Sequence, residues 1–234
     1  MAVPFLEVSG LQGWYGESHV LHGVDFKVGE GEVVTLLGRN GAGRTSTLRA
    51  IMGLIGSRSG SIKVRGTETV GMSTHAIARL GLGYCPEERG IFASLSAEEN
   101  LLLPPELAPG GMSVDEIYTM FPNLKERRAS PGMRLSGGEQ QMLAVARILR
   151  SGAKLLLLDE ISEGLAPVIV QMLAQTIRML RERGFTIVMV EQNFRFAAPL
   201  ADHLCVMEHG RIVASFAAAE LSEKMGMLHE YLGV

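Results

Sequence analysis

The chain is poor in cysteine. Its 234 residues include two cysteines, Cys85 and Cys205, which lie far apart and have no metal-ligand spacing. So few and so widely separated cysteines do not predict a disulfide framework or a cysteine-based metal cluster. We interpret both as reduced thiols without a ligand role, as is usual in the cytosol.

The chain also lacks a surplus of basic residues and any long apolar run. Its 22 basic and 25 acidic residues give a net charge of −3, so a nucleic-acid partner is not expected. No apolar stretch approaches the ~18 residues of a membrane-spanning helix. The first residues lack the basic region and apolar segment of a secretory signal. We therefore expect no direct membrane insertion and a protein that is soluble when isolated.

A glycine-rich loop at residues 38–46, Gly-Arg-Asn-Gly-Ala-Gly-Arg-Thr-Ser, is the most informative local feature. It matches the phosphate-binding pattern Gly-x-x-x-x-Gly-Lys-Thr/Ser through Gly38, Gly43 and Thr45. Glycines let the backbone wrap round an anion so that successive N–H groups point at phosphate oxygens. The Thr45 hydroxyl can reach a magnesium ion. The predicted nucleotide contacts are Arg39, Asn40, Gly41, Ala42, Gly43, Arg44, Thr45 and Ser46.

Arg44 stands where this pattern has lysine. Its guanidinium keeps the positive charge but replaces a compact point charge with a wider planar fork. The alternative is a glycine-rich turn that binds nothing. The context favours a phosphate site, because the apolar run Val33–Leu37 predicts a buried strand before the loop and Leu48–Met52 predicts a helix after it.

The distribution of apolar residues predicts an α/β fold with a parallel sheet core. Four apolar runs end in polar residues, which would meet at one edge of the sheet; they are Val33–Leu37, Leu155–Leu158, Thr186–Val190 and Leu204–Met207. Alternating residues near the N-terminus predict an antiparallel β subdomain. Residues 91–150 contain three Ser-x-x-Glu capping boxes and predict an inserted helical subdomain. We expect one domain over residues 1–234, with its core at about 1–90 and 151–234.

Two further motifs carry chemistry. Asp159 and Glu160 end a buried strand, where an aspartate can hold magnesium and a neighbouring glutamate can polarise a water molecule. An acidic loop without a catalytic role is the alternative. Leu135–Gln140, Leu-Ser-Gly-Gly-Glu-Gln, places a serine cap and two glycines at a helix start and predicts a second anion site or an ordinary capped helix.

Together these motifs resemble those of ABC-type ATPases over essentially the whole chain. Leu135–Gln140 is similar to the signature sequence of that family, and its distance from Asp159 is typical of it. The resemblance implies a P-loop NTPase fold that binds ATP and Mg²⁺. It also implies a head-to-tail dimer in which Ser136, Gly137, Gly138 and Glu139 contact the partner's nucleotide. Tyr15 matches the residue that stacks on adenine; a core aromatic is the alternative.

Three segments are similar to the ATPases of branched-chain amino-acid importers: Gly83–Phe92, Gly164–Pro167 and Val190–Asn193. In that group, as here, Glu87 replaces a glutamine near magnesium and Gln192 replaces the switch histidine. The resemblance implies that Thr45, Glu87 and Asp159 surround magnesium, and that Glu160, Gln192 and Arg44 act in hydrolysis. Urea and short-amide importers have close relatives of these segments.

The resemblance implies an ATP-hydrolysing importer subunit on the cytoplasmic face of the bacterial inner membrane. Its partners would be separate permease subunits and a second ATPase subunit, identical or homologous. Arg44 and Ile161, which replaces a proline, depart even from the subgroup. They favour a rival, a nucleotide-gated subunit that hydrolyses slowly beside a faster partner. A third possibility is an ABC ATPase that acts on DNA or ribosomes. Such proteins usually carry tandem nucleotide domains, long coiled-coil insertions or basic arms, and the sequence shows none of these.

Overall fold

A computed structural model of the chain describes residues 3–233 and contains two β-sheets and nine α-helices within that range. The strands are β1 (Leu6–Tyr15), β2 (Ser18–Val28), β3 (Val33–Leu37), β4 (Ser57–Val64), β5 (Thr67–Glu68), β6 (Leu82–Cys85), β7 (Leu155–Asp159), β8 (Thr186–Glu191), β9 (His203–Glu208) and β10 (Arg211–Ala217). The helices are α1 (Arg44–Ile51), α2 (Thr74–Ala78), α3 (Ala97–Leu102), α4 (Val114–Met120), α5 (Pro122–Glu126), α6 (Gly137–Arg150), α7 (Pro167–Glu182), α8 (Phe194–Ala197) and α9 (Leu221–Leu232).

The larger sheet has the strand order β10-β9-β3-β8-β7-β6. Strands β9, β3, β8, β7 and β6 run parallel, and β10 pairs antiparallel with β9 at one edge. Every residue of β3, β7 and β8 is buried, which explains their continuous apolar sequences. The four predicted parallel strands are confirmed. Their carboxyl ends lie side by side, so the segments that follow β3, β7 and β8 are neighbours.

Strand β6 was not among the predicted strands because Gly83 interrupts its apolar pattern. The structure gives a packing reason for this glycine. A Cβ atom built at Gly83 would lie 2.9 Å from the Cβ of Ala153 and 3.0 Å from the Cβ of Ile148. Glycine therefore lets β6 pack closely against α6 and the chain that leads into β7.

The smaller sheet is antiparallel, with the order β2-β1-β4-β5. Its strands alternate between buried and exposed residues, as predicted for half-exposed strands. A register shift separates Ser9 from Gln12 in the pairing of β1 with β4. Gly10 and Gly60 meet there, and a Cβ at Gly60 would lie 2.5 Å from the Gly10 carbonyl oxygen. Glycine at these positions thus lets β1 and β4 approach closely where their register shifts.

The buried side chains form two clusters on opposite faces of the larger sheet. One joins that sheet to the small sheet and α1, through residues such as Leu11, Leu36 and Leu48. The other joins it to α6 and α7, through residues such as Met142, Leu156 and Ile177. The phosphate loop leads directly from β3 into α1 and is therefore anchored by packed elements at both ends.

Helices α3 to α6 lie within the predicted helical region. All three predicted capping boxes are present: the hydroxyls of Ser96, Ser113 and Ser136 accept from the backbone N–H three residues later, and the glutamate there accepts in return. The division of the chain near residues 90 and 151 stays a prediction. Over residues 3–233, no helix combines the length and apolar character needed to cross a membrane.

Candidate functional site

A cavity of about 590 Å³ opens in front of the glycine-rich loop. Its floor is formed by residues 40–46, and Glu87, Glu160 and Glu163 line one side. Three histidines, His19, His22 and His209, also line it. The segments that follow β3, β6 and β7 thus meet at one opening, as the parallel sheet requires.

The loop needs glycine at specific positions. A Cβ at Gly38 would lie 2.6 Å from the carbonyl oxygen of Met207 in β9, so the first glycine lets the chain leave β3 beside its neighbour. Gly41 and Gly43 adopt left-handed φ angles of 81° and 101°, which only glycine adopts without strain. Helix α1 then begins at Arg44, and its N-terminus faces the cavity with the partial positive charge that anions prefer.

Arg44 points at Glu160. Its Nη2 lies 2.7 Å from Oε1 of Glu160 and 3.3 Å from Oδ1 of Asn40. Both members of the ion pair are buried, with Arg44 4% and Glu160 9% exposed. The second terminal nitrogen of Arg44, Nη1, is buried and has no hydrogen-bond partner among residues 3–233. Sequence analysis did not foresee that the arginine at the lysine position would contact the predicted catalytic glutamate.

Asp159 is fully buried at the end of β7 and is held by two hydroxyls. Thr45 Oγ1 donates to Oδ1 at 2.8 Å, and the Tyr84 hydroxyl donates to Oδ2 at 2.8 Å. Burial raises the pKa of Asp159, and the two hydrogen bonds oppose that effect. The structure therefore brings together the predicted magnesium residues Thr45 and Asp159. It adds Tyr84, which sequence analysis missed although it lies in a segment that was singled out.

Glu160 has an unusual backbone and an unusual environment. Its φ of 48° lies in the left-handed region, where a residue with a side chain is strained. Its N–H donates to the Val190 carbonyl at 2.9 Å and its carbonyl accepts from the Glu163 N–H at 3.2 Å, and these bonds hold that conformation. Burial raises the pKa of Glu160 to about 7; the Arg44 charge lowers it, and nearby Glu163 raises it.

A second carboxylate, Glu191, lies buried at the end of β8. Its Oε1 accepts from the Ser162 N–H at 3.1 Å, and its Oε2 lies 2.7 Å from the Ser162 hydroxyl. Burial raises the pKa of Glu191 to about 8, against the effect of these hydrogen bonds. Sequence analysis did not assign Glu191 a role. Its position directly before Gln192 in a buried strand was the available signal.

The other predicted site residues are spread over neighbouring surfaces. Glu87 lines the main cavity, and its pKa is raised by burial and by Glu163. Gln192 lines an adjacent cavity of about 950 Å³ that shares Glu160 with the first. Arg39 turns away from the main cavity: its Nη2 donates to the Glu230 carbonyl of α9 at 3.3 Å. Tyr15 ends β1, 38% exposed, and lies outside the lining of the main cavity.

The signature residues lie apart from the main cavity. Ser136 caps α6, while Gly137, Gly138 and Glu139 form its first turn. Gly138 is needed for packing, because a Cβ there would lie 2.7 Å from Cγ2 of Ile169 in α7. Arg89, from the loop after β6, donates to Gln140 at 3.0 Å and joins this helix start to the segment that carries Glu87.

The histidine side of the main cavity was also missed by sequence analysis. The His19 and Trp14 rings stack with centroids 4.4 Å apart and planes 10° apart, as their pairing across β1 and β2 allows. His22 meets His19 edge-on at 4.1 Å. Burial lowers the pKa of His22, as does the charge of His19. The main cavity is therefore lined by imidazole rings as well as by carboxylates.

Comparison with known proteins places this geometry in a family. Residues 21–163 match the family model described as ABC transporter. The chain is 42% identical, over 94% of its length and 96% of the relative's, to the high-affinity branched-chain amino acid transport ATP-binding protein BraG of Pseudomonas aeruginosa. It is 31% identical, over 94% of its length and 93% of the relative's, to the lipopolysaccharide export system ATP-binding protein LptB of Haemophilus influenzae.

Solved structures confirm the α/β fold with an antiparallel β subdomain. A nucleotide-free ATP-binding cassette from an ABC transporter superposes with a TM-score of 0.84 at 20% identity, covering 95% of both chains. The dimeric post-hydrolysis state of the cassette MJ0796, bound to ADP and Pi, gives a TM-score of 0.79 at 21% identity, covering 91% of this chain and 98% of that one. Family model, relatives and fold agree with the site geometry, and the chain belongs to the ATP-binding subunits of ABC transporters.

Proposed function

We propose that this chain binds and hydrolyses ATP to drive an ABC importer, and that the importer carries branched-chain amino acids. The observation that carries the proposal is the convergence on one cavity of a glycine loop, the Thr45–Asp159 pair and the buried carboxylate of Glu160. Phosphoryl transfer needs phosphates held by backbone amides, a metal held by oxygen ligands and a carboxylate near the attacking water.

Each predicted residue has a role in this proposal. The amides of residues 39–46 and the helix start at Arg44 bind phosphates, and Tyr15 stacks on adenine. Glu160 polarises water, and Gln192, which lines the adjacent cavity with Glu160, positions the γ-phosphate. Thr45, Asp159 and Glu87 present hydroxyl and carboxylate oxygens, the ligand type that Mg²⁺ prefers. Bound Mg²⁺ would supply charge neutralisation on the phosphates.

The metal proposal is consistent with what the protein alone provides. No group of three or more His, Cys, Asp or Glu side chains arranged to hold a metal was found in the range 3–233. Few protein ligands are expected for Mg²⁺ in a nucleotide site, because it keeps waters and takes ligands from phosphates. The pairing of Thr45 with Asp159 at 2.8 Å is compatible with that arrangement.

We propose that the working unit is a head-to-tail dimer. The start of α6, with Ser136 to Glu139, lies outside the main cavity of its own chain and offers N–H groups at a helix N-terminus. In a head-to-tail pair, these groups would contact the nucleotide held by the other subunit. The remaining partners would be permease subunits, with this chain on the cytoplasmic face of the bacterial inner membrane.

The choice of solute rests on similarity to BraG, and a urea or short-amide importer is the alternative. Because the chain is also similar to LptB, a protein of an export system, the test must establish the direction of transport. The complex of this chain with its permease would be placed in sealed vesicles with ATP on the ATPase side, together with the substrate-binding protein that the importer family implies. It should take up labelled leucine from the other side. Uptake of urea alone would reassign the solute, and outward movement of substrate would overturn the import proposal.

A second candidate, a slow nucleotide-gated subunit, is favoured by the buried Arg44–Glu160 ion pair, which occupies the proposed general base. Steady-state MgATP hydrolysis over a range of protein concentrations distinguishes the two, with Glu160→Gln as the baseline. Turnover above the baseline that rises as dimers form supports the hydrolysing subunit. ATP binding without turnover above the baseline, persisting when permease and partner ATPase are added, supports the gated subunit.

A further inference from the structure

The two terminal nitrogens of Arg44 differ in their hydrogen-bond partners. Nη2 contacts Glu160 and Asn40, whereas Nη1 is buried and finds no partner in the described part of the chain. An unpartnered guanidinium nitrogen in a 4% exposed side chain is costly, because it has given up its water contacts and gained no acceptor. Arg44 is one of the residues that line the main cavity, so a rotation of its buried guanidinium would let Nη1 reach a phosphate oxygen bound there.

The stem of Arg44 lies inside the glycine loop. Its Cδ lies 3.5 Å from the Cβ position of Gly38, so the side chain runs back towards the first glycine before its head reaches Glu160. A lysine ammonium is a point charge that forms its bonds from one atom. The guanidinium has two terminal nitrogens fixed in one plane, and it can contact a carboxylate and a phosphate at the same time.

The ion pair matters because Glu160 is the proposed base. A carboxylate held at 2.7 Å by a guanidinium has one oxygen committed to that contact and is less available to a water molecule. Removing Arg44 from Glu160 therefore frees the carboxylate. A γ-phosphate brings additional negative charge into the same cavity and competes with Glu160 for the guanidinium.

We propose that Arg44 binds the γ-phosphate when it is present and that this binding breaks the ion pair with Glu160. With a nucleoside diphosphate, Nη1 binds the β-phosphate while Nη2 stays on Glu160. With a triphosphate, the guanidinium moves to the γ-phosphate and releases Glu160. Arg44 is then a positioning residue for the base as well as a phosphate ligand. This inference rests on the proposed nucleotide site and deepens it.

Nucleotide affinities test the coupling without using activity. The dissociation constants for ADP and for the non-hydrolysable β,γ-imido analogue of ATP would be measured with Mg²⁺, at protein concentrations below dimer formation. The variants are Glu160→Gln, Arg44→Lys and the double variant. Glu163→Gln is the matched control, because it removes a carboxylate from the same cavity wall that makes no ion pair with Arg44 among residues 3–233.

We expect Glu160→Gln to strengthen analogue binding relative to ADP by about tenfold with Arg44 present, within the usual range of coupling between sites. Glu163→Gln should shift that ratio far less, and Glu160→Gln should have little effect on it in the Arg44→Lys background. Equal shifts for Glu160→Gln and Glu163→Gln would overturn the inference and leave the nucleotide site intact. Failure of the wild-type chain to bind either nucleotide would overturn both proposals.

Structures of the wild-type chain provide a second test that needs no variant to fold. With ADP, Nη2 of Arg44 should remain within hydrogen-bond distance of Glu160. With the analogue, the two groups should separate and the guanidinium should contact the γ-phosphate. The same Arg44–Glu160 distance in both complexes would contradict the inference.

Discussion

Glu191 clamps Ser162: one carboxylate oxygen accepts from the Ser162 N–H at 3.1 Å, and the other lies 2.7 Å from its hydroxyl. Ser162 follows Glu160 by two residues, and Glu191 precedes Gln192. The contact between Glu191 and Ser162 therefore links the segment of the proposed base, Glu160, to the segment of Gln192. Because Glu191 is 1% exposed, this contact is shielded from solvent.

The raised pKa of Glu191 predicts a pH-dependent stability. The folded chain keeps its proton up to pH of about 8, whereas an unfolded chain releases it near the ordinary value of 4.5. Between these values the folded state binds more protons, so the contribution of Glu191 to the free energy of unfolding falls as pH rises. Glu191→Gln, a neutral mimic, should remove this fall. Urea unfolding at several pH values measures the difference from wild type. Glu182→Gln, at an exposed position of α7, should give no such difference.

Tyr84→Phe should weaken the affinity of the site for magnesium. The Tyr84 hydroxyl orients Asp159 from the side opposite Thr45, and removing a hydrogen bond to a metal ligand typically costs about 10–100-fold in metal affinity. The Mg²⁺ concentration for half-maximal ATP hydrolysis should rise by a factor in that range. Tyr118→Phe is the control, since its hydroxyl contacts Glu98 instead. An unchanged Mg²⁺ requirement in Tyr84→Phe would argue against Asp159 as a metal residue.

Ser136→Ala and Ser113→Ala should destabilise the fold similarly but affect hydrolysis differently. Each serine completes a capping box of the same type, Ser113 at the start of α4 and Ser136 at the start of α6. Each substitution should therefore lower the free energy of unfolding by about 1 kcal/mol. Only Ser136 lies in the signature segment. Its loss should lower the ATPase rate at saturating protein, while Ser113→Ala should not. Equal rates for the two variants would contradict a nucleotide role for Ser136.

Gly152→Ala should destabilise the fold more than Gly184→Ala. Both glycines have left-handed φ angles, 87° and 80°, so both substitutions strain the backbone. A Cβ at Gly152 would also lie 1.9 Å from the Ala108 carbonyl oxygen, whereas Gly184 has open space. The clash should add roughly 1–3 kcal/mol to the loss of unfolding free energy. Thermal and urea unfolding of the two variants measures the difference. Equal losses of unfolding free energy would show that the Ala108 backbone moves aside without cost.

Most of the fold was predictable because its signals are local. Strands β3, β7 and β8 are buried on both faces, so each is one continuous apolar run. The starts of α3, α4 and α6 are each marked by a serine and a glutamate three residues apart. Strand β10 was missed because it is an edge strand whose residues are nearly all exposed or half-buried, and β6 because close packing requires glycine in it.

The candidate site was predictable only in part. Its loop is a contiguous motif, and the two acidic residues follow a recognisable strand. The contacts that define the site join distant segments: Arg44 and Glu160 are 116 residues apart, and Tyr84 and Asp159 are 75 apart. Such contacts depend on strand order and register and on the direction of each side chain, which motif spacing does not contain. The arginine in place of lysine signalled a difference, but its partner became evident only in the folded chain.

The packing of α9 has a practical consequence for handling this protein. Its Glu230 carbonyl receives Arg39 of the phosphate loop, and Tyr231 lines a small cavity with that loop. On its other side, Met225 and His229 line a cavity with Gln192. A purification tag or fluorescent fusion joined after α9 would begin beside the phosphate loop and the Gln192 segment, so it would disturb assays of nucleotide affinity.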